Sequence, residues 1–371
     1  MKKIICVILI FLLLFTAFNA AGLNILLDKS QGESGNKIIY DEKYAVIIVG
    51  KYGSKNQEKI SGNPIEKYYE WYTKDAQNFF NILVETYNFQ RENIFILLTE
   101  INQDGFNPGV NFDPNLFHSE NYMNSTKENI IKVFNILKSK INDNDNHNEL
   151  LLVELIGHGK DKSTIRIPIL NRYIDLCSGI DAYDTCFPLW NPDILNEDYS
   201  EKIIRNIFSN FFSNKRAHSN LTSTEDKYLI SEKELSEMTT SILSQRTIYI
   251  LQPCHSGGFI NSLSSDKSII FTAGEEGIPI GNFLGPFYDG LGIKGFDYQD
   301  ENGNFVDADR DGNLSLIETY NWTINHIRNN DPCDPMIDDN GDLVGNHDFS
   351  LIEGKDGYIS SKVINLAYEL I

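Results

Sequence analysis

The chain has 371 residues and is 41% hydrophobic, enough to bury the core of one large domain, with or without a smaller module. Its 52 acidic residues outnumber its 32 basic residues and give a formal net charge of -20. Because phosphate groups are bound by basic surfaces, this balance argues against nucleic acid and anionic membrane surfaces as partners.

The amino terminus has the pattern of a secretory signal peptide. "MKKIICVILIFLLLFTAFNAAG" contains two lysines, then an apolar run, then small residues. The apolar run is short for a membrane span, although an uncleaved anchor stays an alternative. We therefore expect residues 1–22 to be a signal peptide and residues 23–42 to be a linker. The protein is then secreted or held at the cell surface, and it contacts a membrane only if the leader stays uncleaved.

Predicted strands and helices alternate along the rest of the chain. Buried strands are predicted in "KYAVIIVG", "NIFILL", "ELLLVELIGHG", "TIYILQPC" and "KSIIFTAG". Helices are predicted over residues 64–87, from a cap at Ser125 or Thr126, and from a cap at Ser231. Near-continuous apolar strands alternating with helices indicate an α/β fold, in which helices flank a mostly parallel central sheet.

Changes in composition divide the predicted fold into three parts. Residues 43–290 contain all the strands named above and form the main predicted domain. The segment from about residue 162 to residue 228 is too long and too mixed in polarity to be a single crossover connection, so we expect an insertion there. Residues 291–371 are rich in Gly, Asp and Asn and are predicted to form a separate acidic carboxyl-terminal region.

The five cysteines have different predicted roles. Cys6 lies in the leader, and Cys177 and Cys186 could close a small loop in an oxidising compartment. Cys254 and Cys333 are left over, and an unpaired thiol in an exported protein needs an explanation. For Cys254 the explanation offered here is chemistry, whereas the sequence offers none for Cys333.

A histidine and a cysteine follow two of the predicted strands. His158 comes just after the third strand, between Gly157 and Gly159, and Cys254 comes just after the fourth. Because the carboxyl ends of parallel strands meet at one edge of a sheet, we expect His158 and Cys254 to be neighbours in space. Taken singly, a cysteine at a strand end is often a packing residue, and a histidine between glycines is often a turn residue.

A thiol next to an imidazole provides a nucleophile with its proton partner. The backbone N–H groups of Gly159 and Cys254 would be a pair of donors for a developing oxyanion. Gly257 and Gly258 are expected to leave room for a substrate backbone near the sulfur.

"ELIGHG" followed by "LQPCHSGGF" resembles the caspase-like cysteine peptidases, which include caspases, metacaspases, gingipains and legumains. With its leader peptide, the chain is most similar to the legumain-like group, over residues 43–290. The resemblance implies a caspase-like sandwich fold and a protein or peptide substrate. It also implies that His158 and Cys254 are the catalytic dyad and that Gly159 contributes to the oxyanion hole.

Substrate preference does not transfer from the resembling families. Gln252 stands two positions before the cysteine, where legumains have a glutamate and metacaspases an aspartate. Trp71 and Tyr72 replace the Arg-His pair that legumains have before the helix aspartate, here Asp75. Gln252 and Thr272 are our candidates for the wall of the substrate pocket.

The sequence "DADRDGNLSLIE" matches the twelve-residue EF-hand calcium loop. The predicted ligands are Asp307, Asp309, Asp311, the carbonyl group of Asn313, Ser315 through a water molecule, and Glu318. Gly312 provides the sharp turn. The residues after the loop have a clear helical pattern, whereas those before it have a weak one. We therefore expect half of an EF-hand that holds a structural Ca²⁺. The alternative is a solvated acidic turn. "DDNGDLVG", which begins at Asp338, lacks the final carboxylate and is predicted to be a turn, or at most a contributor to calcium binding.

These patterns together predict an exported cysteine endopeptidase that is stabilised by calcium. A peptide ligase or transamidase using the same dyad is one alternative, because an amine could replace water as the second nucleophile. A non-catalytic, calcium-dependent binding or adhesion module on a caspase-like fold is the other.

Overall fold

A computed structural model describes most of the predicted main domain and carboxyl-terminal region. The predicted signal peptide, most of the predicted linker and most of the predicted insertion lie outside the described residues. No helix within the described part of the chain is long and apolar enough to cross a membrane. The described residues are 37–50, 59–60, 63–98, 121–143, 146–157, 159, 164–167, 172–175, 186–188, 229–275, 281–327 and 333–370.

The regular elements are numbered here in chain order. The strands are β1 (Lys37–Ile39), β2 (Lys43–Val49), β3 (Lys59–Ile60), β4 (Asn63–Pro64), β5 (Ile94–Leu98), β6 (Tyr122–Asn124), β7 (Leu150–Ile156), β8 (Thr164–Ile167), β9 (Arg172–Asp175), β10 (Cys186–Pro188), β11 (Leu229–Ser231), β12 (Arg246–Leu251), β13 (Ser268–Thr272), β14 (Met336–Asp338), β15 (Val363–Ile364) and β16 (Tyr368–Leu370). The α-helices are α1 (Ile65–Asn81), α2 (Lys127–Asn142), α3 (Glu232–Thr240), α4 (Ile260–Leu263), α5 (Leu284–Gly290) and α6 (Leu316–His326).

A seven-stranded sheet lies at the centre of the fold, in the order β14-β13-β12-β7-β2-β5-β6. Its first six strands in sequence pair in parallel, and β14 pairs antiparallel with β13 at one edge. The predicted fold class, a mostly parallel sheet flanked by helices, is confirmed.

Helices cover both faces of the sheet. Because successive side chains of a strand point to opposite faces, each strand contributes to both layers of the core. Ala45 and Ile47 of β2 belong to a hydrophobic cluster that includes side chains of α1, α5 and α6. Val46 and Ile48 face the opposite way and belong to a cluster that includes side chains of α2, α3 and α4. All four of these side chains are fully buried, so both faces contribute to the core.

Local sequence signals locate the starts of the helices. The Thr126 hydroxyl accepts a hydrogen bond from the Asn129 N–H at 3.2 Å and caps α2, which decides between the two predicted cap residues. Ser231 and Glu234 form a reciprocal capping box at the start of α3. The helix predicted to end at residue 87 instead ends at Asn81 and continues as a π-helical turn, Ile82–Thr86.

The carboxyl-terminal residues pack into the same core as the strands before them. Tyr320 of α6 is fully buried, and its ring centroid lies 5.8 Å from that of Phe271 in β13. Strand β16 pairs with β1, which lies in the predicted linker, and Glu369 of β16 forms a buried ion pair with Arg246 of β12. The division of the chain at residue 290 stays a prediction, although residues on both sides of it share one core.

Candidate active site and acidic loop

The strands that precede His158 and Cys254 are direct neighbours. Strands β7 and β12 pair in parallel, with Leu155 opposite Leu251, and the Gln252 N–H donates to the Leu155 carbonyl oxygen at 3.1 Å. Both strands therefore end at the same edge of the sheet, where open α/β sheets bind ligands.

The segment after β7 touches the cysteine itself. A Cβ atom added to Gly159 would lie 1.7 Å from the Cys254 carbonyl oxygen and 2.7 Å from its carbonyl carbon. The two backbones are therefore in direct contact, and only glycine fits at position 159. His158 lies outside the described residues, so the predicted dyad itself stays a prediction.

A tight turn follows Cys254 and packs against the end of β13. The Gly257 N–H donates to the Gly274 carbonyl oxygen at 2.8 Å, and the Ser256 hydroxyl accepts from the Ala273 N–H at 3.1 Å. Gly257 and Gly258 are buried in this turn. The expectation that they leave room for a substrate backbone stays a prediction.

Cys254 and Cys333 are both thiols and do not form a disulfide with each other. Cys254 is partly exposed at the sheet edge. The Cys333 sulfur accepts a hydrogen bond from the Gly281 N–H at 3.2 Å and packs against the core, which gives that residue a structural role. The predicted pairing of Cys177 with Cys186 involves side chains outside the described residues.

The two residues predicted to line the substrate pocket differ in their surroundings. Gln252 accepts a hydrogen bond from the Gly157 N–H at 2.7 Å through its side-chain oxygen, which ties the ends of β7 and β12 together. Thr272 is fully buried in β13, and its hydroxyl has no hydrogen-bond partner among the described residues. A substrate could contact Thr272 only if neighbouring residues moved, so its role in the pocket stays a prediction.

Buried carboxyl groups lie beneath this edge of the sheet, and the sequence analysis missed them. Glu154 of β7 is fully buried and accepts a hydrogen bond from the Tyr288 hydroxyl at 2.8 Å. Burial raises the pKa of Glu154 well above its usual range, and the nearby Asp75 charge adds to the effect. Burial also raises the pKa of Asp75 to about 7. Nothing in the sequence connects these three residues, which lie on separate elements.

A second group of charged side chains that the sequence analysis missed follows β13. The Nε2 atom of His347 lies 2.9 Å from a carboxyl oxygen of Glu275, and its Nδ1 atom lies 3.0 Å from a carboxyl oxygen of Asp334. Burial disfavours the charged ring, but the contacts with both carboxylates raise the pKa of His347 overall. This group joins the carboxyl-terminal region to the edge of the sheet that carries Cys254.

The predicted calcium loop brings its acidic side chains together. Carboxyl oxygens of Asp307, Asp309 and Asp311 lie within 4.8 Å of one another. Asp307 is buried and accepts from the Arg310 N–H at 2.7 Å and from the Gly312 N–H at 2.8 Å. Gly312 has φ +82°, which favours glycine and agrees with its predicted role in the turn.

The end of the loop is held by the cap of α6. Ser315 and Glu318 form a reciprocal capping box, and the other Glu318 oxygen accepts from the Ala308 N–H at 2.9 Å. Glu318 thus reaches back across the loop to its beginning. Burial, together with the charges of Asp309 and Asp307, raises the pKa of Glu318 to about 7.

The predicted ligands fit calcium, with one difference at Ser315. Three carboxylates converge, while the Arg310 guanidinium of the same loop lies over the Phe305 ring, and such an oxygen-rich arrangement is the one that Ca²⁺ prefers. The Ser315 hydroxyl is engaged with Glu318, so its predicted water-mediated role competes with helix capping. Asn313 lies in the loop with its side-chain oxygen bonded to Asn365, which leaves its backbone carbonyl as the expected ligand.

Comparisons with known proteins identify no family. No family model matches the sequence, and no curated protein matches it. Among solved structures, the chain is similar to the initiator caspase Dronc of Drosophila, with 8% sequence identity and a TM-score of 0.32. The similarity covers 71% of this chain and 70% of that chain. These values are too low to establish membership of a family.

Proposed function

We propose that the chain is an exported cysteine endopeptidase of the caspase-like, legumain-related type, with Cys254 and His158 as its catalytic pair. The observation that carries the proposal is the backbone contact between Gly159 and Cys254 at one edge of the sheet. Because His158 directly precedes Gly159, a nucleophile and a proton carrier are encoded on two segments whose backbones touch.

The proposed reaction proceeds through a thioester. The Cys254 thiol gives its proton to His158 and the sulfur attacks the scissile carbonyl carbon, while backbone N–H groups of Gly159 and Cys254 donate to the resulting oxyanion. The C–N bond then breaks, and His158 protonates the departing amine. Water attacks the thioester carbonyl, which releases the new carboxyl group and returns the thiol.

The expected substrate is a protein or peptide. The net charge of -20 disfavours nucleic acid, and a membrane is a partner only through an uncleaved leader. Gln252 is the better supported candidate for the pocket wall, because it lies beside Gly157 at the same edge as Cys254.

Calcium is proposed as a structural ion in the loop from Asp307 to Glu318. A bound Ca²⁺ would neutralise the three converging carboxylates of Asp307, Asp309 and Asp311. In this loop the Leu314 N–H donates to the Asn365 side-chain oxygen, and the Asn365 N–H donates to the Leu314 carbonyl oxygen, so the ion would also hold the carboxyl-terminal segment in place.

Alkylation by iodoacetamide tests the nucleophile, and the chain contains its own control. An activated thiolate at Cys254 should react near neutral pH at least roughly tenfold faster than Cys333, whose sulfur is held by the Gly281 N–H. Mass spectrometry of the alkylated peptides measures both rates in the same sample. Equal rates at Cys254 and Cys333 would favour the non-catalytic binding module.

Cleavage of a mixed peptide library tests the reaction. The wild-type protein should cleave the library, whereas Cys254→Ala should lower the rate by at least about a thousandfold, because the covalent step is lost. Adding a peptide amine distinguishes the alternatives, since a ligase would join it to the acyl fragment. A wild-type protein that neither cleaves nor joins peptides contradicts the proposal.

A further inference from the structure

A second acidic loop follows the edge strand β14. It runs from Asp338 to Asn346 and is called here the second loop. A pair of backbone hydrogen bonds closes it, from the Ile337 N–H to the Asn346 carbonyl oxygen and back, each at 2.9 Å. The sequence predicts a turn in this segment, or at most a contributor to calcium binding, because the final carboxylate of the calcium pattern is missing.

The second loop winds in the same way as the loop from Asp307 to Glu318. The Asp342 N–H donates to the Asn340 side-chain oxygen, and the Val344 N–H donates to Asp342 Oδ1, both at 2.9 Å. In the first loop, the Asp311 N–H donates to Asp309 Oδ1 at 3.1 Å in the equivalent position. Asp338, Asn340 and Asp342 thus take the places of the first three ligands.

Asp338 provides an observation that is independent of this winding. The residue is fully buried, and its Oδ1 accepts from the Gly341 N–H at 3.2 Å. Its Oδ2 is also buried but has no hydrogen-bond partner among the described residues, although the Ser264 hydroxyl lies near the carboxyl group. A buried carboxylate oxygen without a donor is costly, and a cation would remove that cost.

Asp356 supplies the carboxylate that the second loop lacks. It is almost fully buried, and its Oδ1 accepts from the Asp339 N–H at 3.0 Å while Oδ2 accepts from the Asn346 side chain. Asp339 in turn accepts from the Gly357 N–H at 3.0 Å, so the two segments hold each other. A carboxylate distant in sequence thus lies against the second loop.

We propose that the second loop binds a divalent cation of the calcium type through Asp338, Asn340, Asp342 and the Val344 carbonyl group, with Asp356 closing the site. A mixture of carboxylate, amide and carbonyl oxygens suits Ca²⁺, which accepts a flexible oxygen shell. Because Asp338 ends β14, the ion would fasten the edge strand of the central sheet. The proposal is independent of peptidase activity and of the first loop.

Counting bound ions on the full chain tests the proposal. Native mass spectrometry and calorimetric titration with Ca²⁺ should show two ions on the wild-type protein. Asp342→Asn removes a charge from an exposed ligand and keeps its acceptor oxygen, so we expect one ion and roughly tenfold weaker binding at the second site. Asp309→Asn should also leave one ion, and the double variant should bind none. Glu353→Gln, an exposed carboxylate outside both loops, should keep two.

Two results would contradict the proposal that the second loop binds a cation. If the wild-type protein binds one ion and Asp309→Asn binds none, the second loop is not a site. If Asp342→Asn and the isosteric Asp338→Asn both keep the wild-type count and affinities, the proposal is also overturned. Circular dichroism without calcium checks that each variant is folded, so that a lost ion reports the loss of a ligand.

Discussion

The sheet edge at Cys254 and the acidic loop from Asp307 to Glu318 are assembled in opposite ways. At the sheet edge, Gly159 and Cys254 come from two strands far apart in sequence and meet because those strands pair. In the acidic loop, all the candidate ligands lie within twelve consecutive residues and are joined by local hydrogen bonds. The edge therefore depends on correct folding of the whole sheet, whereas the loop depends on its own sequence and on a compensating charge.

The carboxyl groups of the two regions also differ in their surroundings. Beneath the sheet edge, Glu154 is enclosed with Tyr288, and its raised pKa favours the neutral acid. In the loop, Asp307, Asp309 and Asp311 converge beside solvent. We therefore expect protonation to act on the first region and a cation to act on the second.

Gly159→Ala should have the largest effect, because it attacks the contact that forms the sheet edge. The added Cβ would meet the Cys254 carbonyl oxygen at 1.7 Å, so one backbone must move. We expect a loss of about 3 kcal/mol in the free energy of unfolding. A shift of about 1 Å near the sulfur should lower kcat/KM by roughly a hundredfold. Urea unfolding and peptide cleavage measure the two effects.

Gly285→Ala is the matched control for that substitution. Its added Cβ would meet only the Asn282 side chain, at 2.8 Å, which can rotate away. We expect a small change in stability and unchanged calcium binding in both variants. If Gly159→Ala were as mild as Gly285→Ala, the close contact at the sheet edge would be refuted.

Removal of calcium should have the next largest effect and should act on the loop. With free Ca²⁺ at about 100 times its Kd, bound ion contributes about 2.7 kcal/mol per site, so chelation should lower Tm by several degrees. Asp309→Asn should reduce that shift, whereas Cys254→Ala should keep it in full. A wild-type Tm that is the same with and without chelator would contradict a structural role for the ion.

The sequence predicted what local patterns determine. Near-continuous apolar runs predicted the central strands, and helical apolar spacing predicted the helices; the parallel arrangement led to the contact near Cys254. The acidic loop was predictable because its ligand spacing is contained in one short segment.

The parts that sequence reasoning missed depend on contacts between remote segments. Glu154 meets Tyr288, and His347 meets Glu275, across intervals that no local period connects. The second loop was predicted to be a turn because Asp356, its missing carboxylate, comes from a later segment.

A change in pH should have a smaller effect on the free energy of unfolding, and it should act on the carboxyl groups beneath the sheet edge rather than on the acidic loop. Glu154 and Asp75 have pKa values above the usual carboxyl range near 4, so the folded state binds more protons than the unfolded state between about pH 4 and pH 7. Stability contributed by these groups is present at low pH and lost as pH rises through that window. Glu154→Gln should therefore be more stable than wild type at pH 8 by at least about 1 kcal/mol, and nearly equal to it near pH 4, at the lower end of the window.

Urea unfolding at the two pH values measures this difference in the presence of chelator, which removes the influence of the loops. Glu92→Gln changes the same charge at an exposed position and is the control. Equal pH dependence in Glu154→Gln and wild type would show that Glu154 is not held neutral in the folded protein.

Gln252→Met should have the smallest effect and distinguishes structure from substrate recognition at the sheet edge. The substitution leaves the buried Gly157 N–H without its acceptor, which should cost about 1–2 kcal/mol of stability. Gln252→Glu keeps an acceptor oxygen and should restore most of that loss. If Gln252 also lines the substrate pocket, the peptide preferences of Gln252→Glu will differ from those of wild type even though its stability is close. Unchanged preferences in a stable Gln252→Glu protein would limit Gln252 to joining the ends of β7 and β12.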